Sequence, residues 1–441
     1  MSKFVQSDRC QPFLLPPDLR DWLPSDDLAH FVIEAVERVP MSHFKVNVHG
    51  SGSAQYHPQM MLGLLIYCYA NGIFSSRKIE RASYRDIGVR YMTANCHPDH
   101  DTIARFRREN LEAISESFSQ VLLLAKELKL LKVGRVSVDG TKLNANASKR
   151  RSIRYDRAQQ LRSQLQGEID ELLNQAEQAD DQGLSDDQKL PEELSRRTSL
   201  KSKLDQACRR LERQARDRAD REQADYEAKV KARDARSGKR KGKKIKPPSA
   251  TPKADEQINL TDPDAKLMRK SKASGYHQSY NAQAVVDADG SQLVLGTRVS
   301  QCASDRNELV ADLQAIPEKV GEVKQALADN GYANESQVAQ LEGSQIDVLV
   351  AVGSGDRRRR YDFRPQPSEP ILEKEPKADW LQQMKAKLEV EANVKSYRLR
   401  QQTVEPVFGI IKQVLGFRQF SLRGHAKVTI KQARLRSKII K

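Results

Sequence analysis

The chain has 441 residues, room for roughly two to four domains, and a hydrophobic fraction of 38%, low but still that of a globular protein. Its net charge of +16 points to a polyanionic partner, because neutralising phosphates releases counterions and supplies affinity independent of sequence. No apolar run approaches the roughly 20 residues that cross a bilayer, the start MSKFVQSDRCQPFLLPPDL is unlike a secretory leader, and the basic residues are spread over several segments, so nucleic acid rather than membrane is the expected partner of a cytosolic protein.

In chain order, residues 56–131 read as helical, with apolar residues at helical spacing and short Gly and Ser breaks. Within them, HPDHDTIARFRRENLEAISESFSQVLLLAKELKLL predicts one long helix with Asp101 as N-cap and Ile103, Phe106, Leu111, Ile114 and Phe118 inward. Arg105, Arg107 and Arg108 then stand near its start, a placement that suits DNA binding. The preceding Cys96-His97-Pro98-Asp99-His100 lacks a second half-site at zinc-finger spacing and reads as a polar turn. The cysteines, Cys10, Cys68, Cys96, Cys208 and Cys302, are odd in number, widely spread and without a CxxC pair, so no disulfide framework is expected.

Residues 133–138 predict a short strand ending at Asp139. From 149 to about 253 the chain is highly charged and almost without aromatic residues. Leu161, Leu165, Ile169, Leu172 and Ala176 form one helical seam, and Leu194, Leu200, Leu204 and Leu211 a second. The two seams either pair as an antiparallel hairpin or remain a solvated spacer. Residues 229–253, KVKARDARSGKRKGKKIKPPSATPK, cannot bury a core and are expected to be disordered when free.

Regular structure is expected to resume at about Gly275. YHQSYNAQAVVDADGSQLVLGTRVS alternates apolar and polar residues on both sides of an Asp-Gly pair, a hairpin signal. A helix starting at Ser304 or Asp305, a strand ending at Asp329, a helix over 334–342 and a buried-type strand over 346–352 follow. Asp287, Asp289 and Asp305 are assigned to turns and a cap. This order describes an α/β fold, a mixed sheet with helices on its faces.

Asp139 and Asp329 each end an apolar run, where a carboxylate needs a partner, commonly a metal ion. Glu405 lies instead among Val404, Val407, Phe408, Ile411 and Leu415, the spacing of an amphipathic helix. Each acid also has a plain structural explanation in a turn or early helical position. Two strand ends and a helix can nevertheless meet in a mixed sheet, and such carboxylates can hold two divalent cations that polarise a phosphodiester. Magnesium prefers hard oxygen ligands of this kind. The joint occurrence of the three acids in a basic chain favours the catalytic alternative.

Together with SVDGTK, TDPDAKLM, GYHQSYNAQ, DNGY, VEPVFGIIK and the N-terminal stretch from YHPQMMLGLLIYCYANG to DHDTIARFRR, these residues resemble the DDE transposases of bacterial insertion sequences. The resemblance covers most of the chain and implies a ribonuclease-H-like catalytic core with flanking helices. It places the catalytic metal ligands on Asp139, Asp329, which is followed by Gly331 and Tyr332, and Glu405, with two Mg2+ ions, or Mn2+ as substitute. The family's glutamate motif often carries an upstream tyrosine and arginine and a downstream lysine. Lys412 stands at the expected spacing, two helical turns past Glu405 and suited to a DNA-backbone contact. Tyr397 and Arg400 are present, but four residues separate Arg400 from Glu405 where the common pattern has three, leaving Arg398 or Arg400 as the phosphate contact. Tyr332 joins the expected DNA-binding set.

The implied organisation is a helical DNA-binding region at 1–131, the first core strand in 132–150, a charged helical and basic insertion at 151–260, the rest of the core at 261–425 and a basic tail at 426–441. The implied activity is cleavage of double-stranded DNA at transposon ends and joining of the freed 3′-hydroxyl to target DNA. A homodimer in the bacterial cytoplasm, nucleoid-associated when bound, would carry it out. The competing functions are a metal-dependent nuclease without strand transfer and a non-catalytic DNA-binding remnant. The remnant is suggested by the final VTIKQARLRSKIIK, basic where relatives continue into an apolar helix, as in a truncated copy.

Overall fold

The computed structural model describes residues 18–46, 54–127, 129, 131–181, 189–234, 245–269, 275–353 and 378–433. Six helices come first: α1 (Leu28–Glu37), α2 (Pro58–Ala70), α3 (Ser76–Arg85), α4 (Ile87–Met92), α5 (His100–Glu109) and α6 (Leu111–Glu127). Asp27, His57, Asp86 and Asp99 each accept a backbone N–H at the start of a helix, and Pro58 at the first position of α2 has no N–H to leave unpaired. α2 is apolar on every side and becomes the centre of this group, burying Met61, Leu62, Leu64, Leu65 and Cys68.

The long helix expected from Asp101 is in fact two. Its cap is Asp99, and the break falls at buried Asn110, whose amide oxygen accepts from the Lys45 N–H at 2.6 Å and whose amide nitrogen donates to Phe106 O. A side chain that bonds the backbone in this way competes with helix continuation. Arg107 and Arg108 therefore lie in the last turn of α5, not near a helix start.

The sheet contains β1 (Arg135–Asn144), β4 (Lys266–Met268), β5 (His277–Asp287), β6 (Val294–Ser300), β7 (Gln325–Ala328) and β8 (Asp347–Val350), while β2 (Ser152–Arg154) and β3 (Gln257–Asn259) form a separate pair. Its order is β4-β5-β1-β7-β8, with β6 beside β5. β1 runs antiparallel to β5 and parallel to β7, and β7 parallel to β8. The expected hairpin about the Asp-Gly turn is β5 and β6. β1 is longer than expected: paired to β5 from Val136 to Asn144, it carries Asp139 in its middle rather than at its end. Its C-terminal half, GTKLN, lacks a β-branched run and is held extended by the long partner strand β5 and, at Asn144, by a bridge to Gln419.

The helices α9 (Leu309–Leu313), α10 (Glu335–Gly343), α11 (Asp379–Glu389), α12 (Glu391–Gly409) and α13 (His425–Ala433) accompany the sheet. Val136, Val138 and Val285 pack on one face against Leu122, Leu309, Leu341 and Met384. Leu143, Ala282 and Ala284 pack on the other against Val404, Val407, Phe408 and Ile411. The helix expected over 304–320 is shorter, since α9 starts only at Leu309. Of the segment expected to be a basic tail, residues 426–433 belong to α13, with Val428 buried, and 434–441 lie outside the described residues.

Between β2 and β3 the chain makes α7 (Tyr155–Asp181) and α8 (Lys189–Asp234), which pack together. Leu165, Ile169, Leu204 and Leu211 of the two seams are buried, so the hairpin alternative holds rather than the solvated spacer. Of the segment expected to be disordered, 229–234 belong to α8 and 235–244 lie outside the described residues. Among the described residues no helix is long and apolar enough to cross a membrane.

Candidate active site

Ser137 of β1 stands opposite Leu327 of β7, so two residues further along each chain Asp139 and Asp329 come level. Asp329 follows the last residue of β7 and accepts the Gly331 N–H at 2.9 Å, capping a short 3-10 turn. α12 crosses β1, β5 and β7 and brings Glu405 to the same place, with the Thr403 hydroxyl donating to the Ser137 hydroxyl at 2.8 Å.

One guanidinium joins the three acids. Arg400 Nη2 lies 3.3 Å from Asp139 Oδ2 and 3.8 Å from Asp329 Oδ2, and Nη1 lies 3.4 Å from Glu405 Oε1. Its side chain is only 11% exposed, and its Nε is buried without a partner among the described residues. Burial pushes the Asp139 carboxyl up to about 6, the Arg400 charge opposes that rise, and the Asp329 charge adds to it.

The shape of α12 follows from Pro406 inside it. Proline has no N–H to give Gln402 O, and the Gln292 amide donates to that carbonyl instead at 3.0 Å. Beyond it, residues Ile410–Val414 form a π-helical turn, a feature that often re-aims a side chain at a functional site. Lys412 in that turn donates to the Thr141 hydroxyl, on the same face of β1 as Asp139. Tyr397 donates to Ala328 O at 3.1 Å, directly before Asp329, and burial raises its phenol pKa.

Thus the structure groups Asp139, Asp329, Glu405, Arg400, Tyr397 and Lys412. Of the two candidate arginines, Arg398 is exposed and on the opposite side of α12, because two helical residues are separated by about 200°. Tyr332 is also placed elsewhere than expected. It is fully buried with its hydroxyl donated to Gln283, so it offers no surface to DNA. Arg105, Arg107 and Arg108 belong to the separate N-terminal helical group, where Arg107 ties Tyr69 and the Phe74 carbonyl together while Arg105 and Arg108 are exposed. The histidines near Cys96 are likewise structural, with His97 on Ser83 and His100 on Glu80.

Asp305 was missed as a neighbour of this site. Its Oδ1 accepts from Asn281 and Gln283 at 2.6 Å each, and its charge helps raise Asp139. Two amides at alternate positions of a buried strand, Asn281 and Gln283, were the available signal, because buried polar groups require partners. Gly140 leaves room for this arrangement: a Cβ there would stand 2.6 Å from both Asp305 Oδ1 and Gln283 Nε2. Gly140→Ala is therefore expected to cost about 1–3 kcal/mol by overpacking. Urea denaturation measures this, and an unchanged midpoint would show that the network yields freely.

The donor set, three carboxylates and no nitrogen or sulfur, suits a hard divalent cation, and the Arg400 guanidinium already supplies the positive charge they face. Among the described residues no three His, Cys, Asp or Glu side chains stand close enough to share one ion, so holding metal requires the acids to close in and Arg400 to give way.

Two family models match the chain, a transposase domain of the DUF772 type over residues 17–109 and a transposase DDE domain over 242–433, together more than half its length. The chain belongs to the DDE transposases of insertion sequences. No curated protein and no solved structure matches it. In this transposase the DDE-domain match includes Asp329, Arg400, Glu405 and Lys412, whereas β1 with Asp139 and the α7–α8 hairpin lie between the two matched segments.

Proposed function

We propose that this transposase cuts double-stranded DNA at transposon ends and joins the freed 3′-hydroxyl to target DNA. The observation that carries this is the convergence of Asp139, Asp329 and Glu405 on one cation at the centre of a mixed sheet. That sheet, with one acid on its central strand and the second just past the adjacent parallel strand, supports a ribonuclease-H-like core formed by 132–150 and 261–425. Residues 1–131 serve as the DNA-binding region, with 151–260 inserted into the core.

Asp139, Asp329 and Glu405 would hold the two divalent ions, Mg2+ or Mn2+, whose chemistry is to polarise the scissile phosphodiester and stabilise the attacking and leaving oxygens. Arg400, released from the carboxylates, is placed to hold a phosphate oxygen, for which a planar guanidinium is suited. Lys412, anchored at Thr141, sets a second cation beside the DNA backbone. Tyr397 fixes the end of β7 and thereby the position of Asp329. The protein acts as a homodimer in the cytoplasm, since two ends must be brought together.

A joining assay tests this reading against a nuclease without strand transfer. Incubation of end-bearing DNA and a target plasmid with Mg2+ is expected to give both nicked ends and joined products. Nicks that are never joined would leave only the nuclease, and neither product would leave a DNA-binding remnant.

A further inference from the structure

We infer that one face of α8 is a contact surface for the phosphate backbone of double-stranded DNA, separate from the catalytic centre and outside both matched family segments. This rests on the reading of the protein as a transposase acting on DNA.

Two sets of cations on the hairpin differ in what they meet. Those facing protein are paired: Arg197 with Glu168 at 2.9 Å and Arg162 with Asp205 at 3.3 Å across the hairpin, Arg218 with Glu256 at 3.1 Å and Arg210 with Asp264 towards the core. Arg209, Arg213 and Arg216 form the second group. They stand at i, i+4 and i+7, one exposed face of α8, and none of the three forms an ion pair among the described residues. Like charges at these spacings repel, and Asp217 and Asp220, four residues past Arg213 and Arg216, offset only part of this, so the row favours an external anion.

An open groove of about 550 Å³ runs beside this row, between α8 and the loop after β3. Lys203, Arg209, Arg210 and Arg213 line it, with Asp217 as the acid in its wall. Asp217 and Asp220 close the row at its far end. The three arginines span about 10 Å of helix. Duplex DNA presents a phosphate charge for roughly every 1.7 Å of its axis, so one side of a duplex can meet all three. The hairpin also leaves the sheet just after Asn144, the end of the strand that carries Asp139, about 17 Å further along it. A duplex at the catalytic carboxylates thus has α8 within its reach.

The test uses the full-length protein and a labelled duplex of random sequence, since phosphate contacts carry no sequence information. Affinity is measured over a salt series for the wild type, for a triple variant Arg209→Gln, Arg213→Gln, Arg216→Gln, and for the corresponding triple arginine-to-lysine variant. The glutamine variant is expected to lower the slope of log affinity against log salt by about 2 to 3, at roughly 0.9 per lost phosphate contact, and the lysine variant to retain the slope. An unchanged slope in the glutamine variant overturns the inference while leaving triad-dependent cleavage intact as a reading. A wild type that binds no duplex at low salt overturns both. Cleavage that persists without the triad, with the slope lowered as stated, overturns the catalytic reading alone.

Discussion

Asp139→Asn is expected to abolish Mg2+-dependent nicking of transposon-end DNA, a loss of roughly 10³-fold or more, because several kcal/mol of transition-state charge stabilisation depends on the ionised ligand. Asparagine keeps the size of the side chain and its oxygen still accepts the Gly140 N–H, which Asp139 Oδ1 takes at 2.8 Å. Only the charge is lost. Asp329→Asn and Glu405→Gln are expected to act alike, and combining them to add little, because the three acids act as one site. Duplex affinity is expected to stay the same or rise slightly as negative charge leaves the surface. Nicking rates beside a gel-shift titration measure both quantities, and wild-type nicking in all three variants would sink the assignment. Calorimetric titration of Mg2+ supplies a readout independent of turnover: heat of binding should appear with the wild type and vanish with Asp139→Asn.

The second large effect lies beside the site, in the ion cluster that fastens α9 to β6. Arg298 Nε donates to Asp312 Oδ1 at 3.0 Å, its Nη2 pairs with Glu308, and the Ser300 hydroxyl donates to Glu308 at 2.7 Å. Both acids are buried, so Arg298→Ala leaves Glu308 without its cation and Asp312 without its donor. The expected cost is about 3–5 kcal/mol, read from urea or thermal denaturation. One guanidinium also serves two acids. Burial pushes Asp312 up to about 8, the neighbouring Glu308 charge adds to this, and Arg298 opposes it. A folded pKa above the unfolded value of about 3.9 means that the folded chain holds the proton more tightly. The contribution is complete below about pH 4 and is lost as pH rises through about 8. The wild type should therefore melt at a lower temperature at pH 9 than at pH 6. Asp312→Asn should remove much of that dependence, and an equally steep dependence in the variant would place its origin elsewhere.

Much of this architecture was legible from local pattern. The β5–β6 hairpin follows from alternation about an Asp-Gly turn, β7 and β8 from short apolar runs with polar ends, and the helices α7 and α8, though not their pairing, from two leucine seams. The limits of β1 and the break at Asn110 were not legible. Both depend on a partner far away in the chain, the long β5 in one case and the Lys45 backbone in the other. Tyr332 illustrates the same limit: beside an acidic residue in a glycine turn it reads as a surface contact, yet its ring fills the core and its hydroxyl is taken by Gln283.

The sequence by itself determined the order of the acids, the positive charge and the family to which the chain belongs, because these are properties of residue type and spacing. The tertiary structure alone decided what stands between those acids. Arg400, whose offset from Glu405 looks irregular along the chain, reaches Asp139, Asp329 and Glu405 at once, while Arg398 faces away. Helical rotation separates two arginines that sequence leaves equivalent, and strand register sets carboxylates nearly 200 residues apart within reach of one guanidinium.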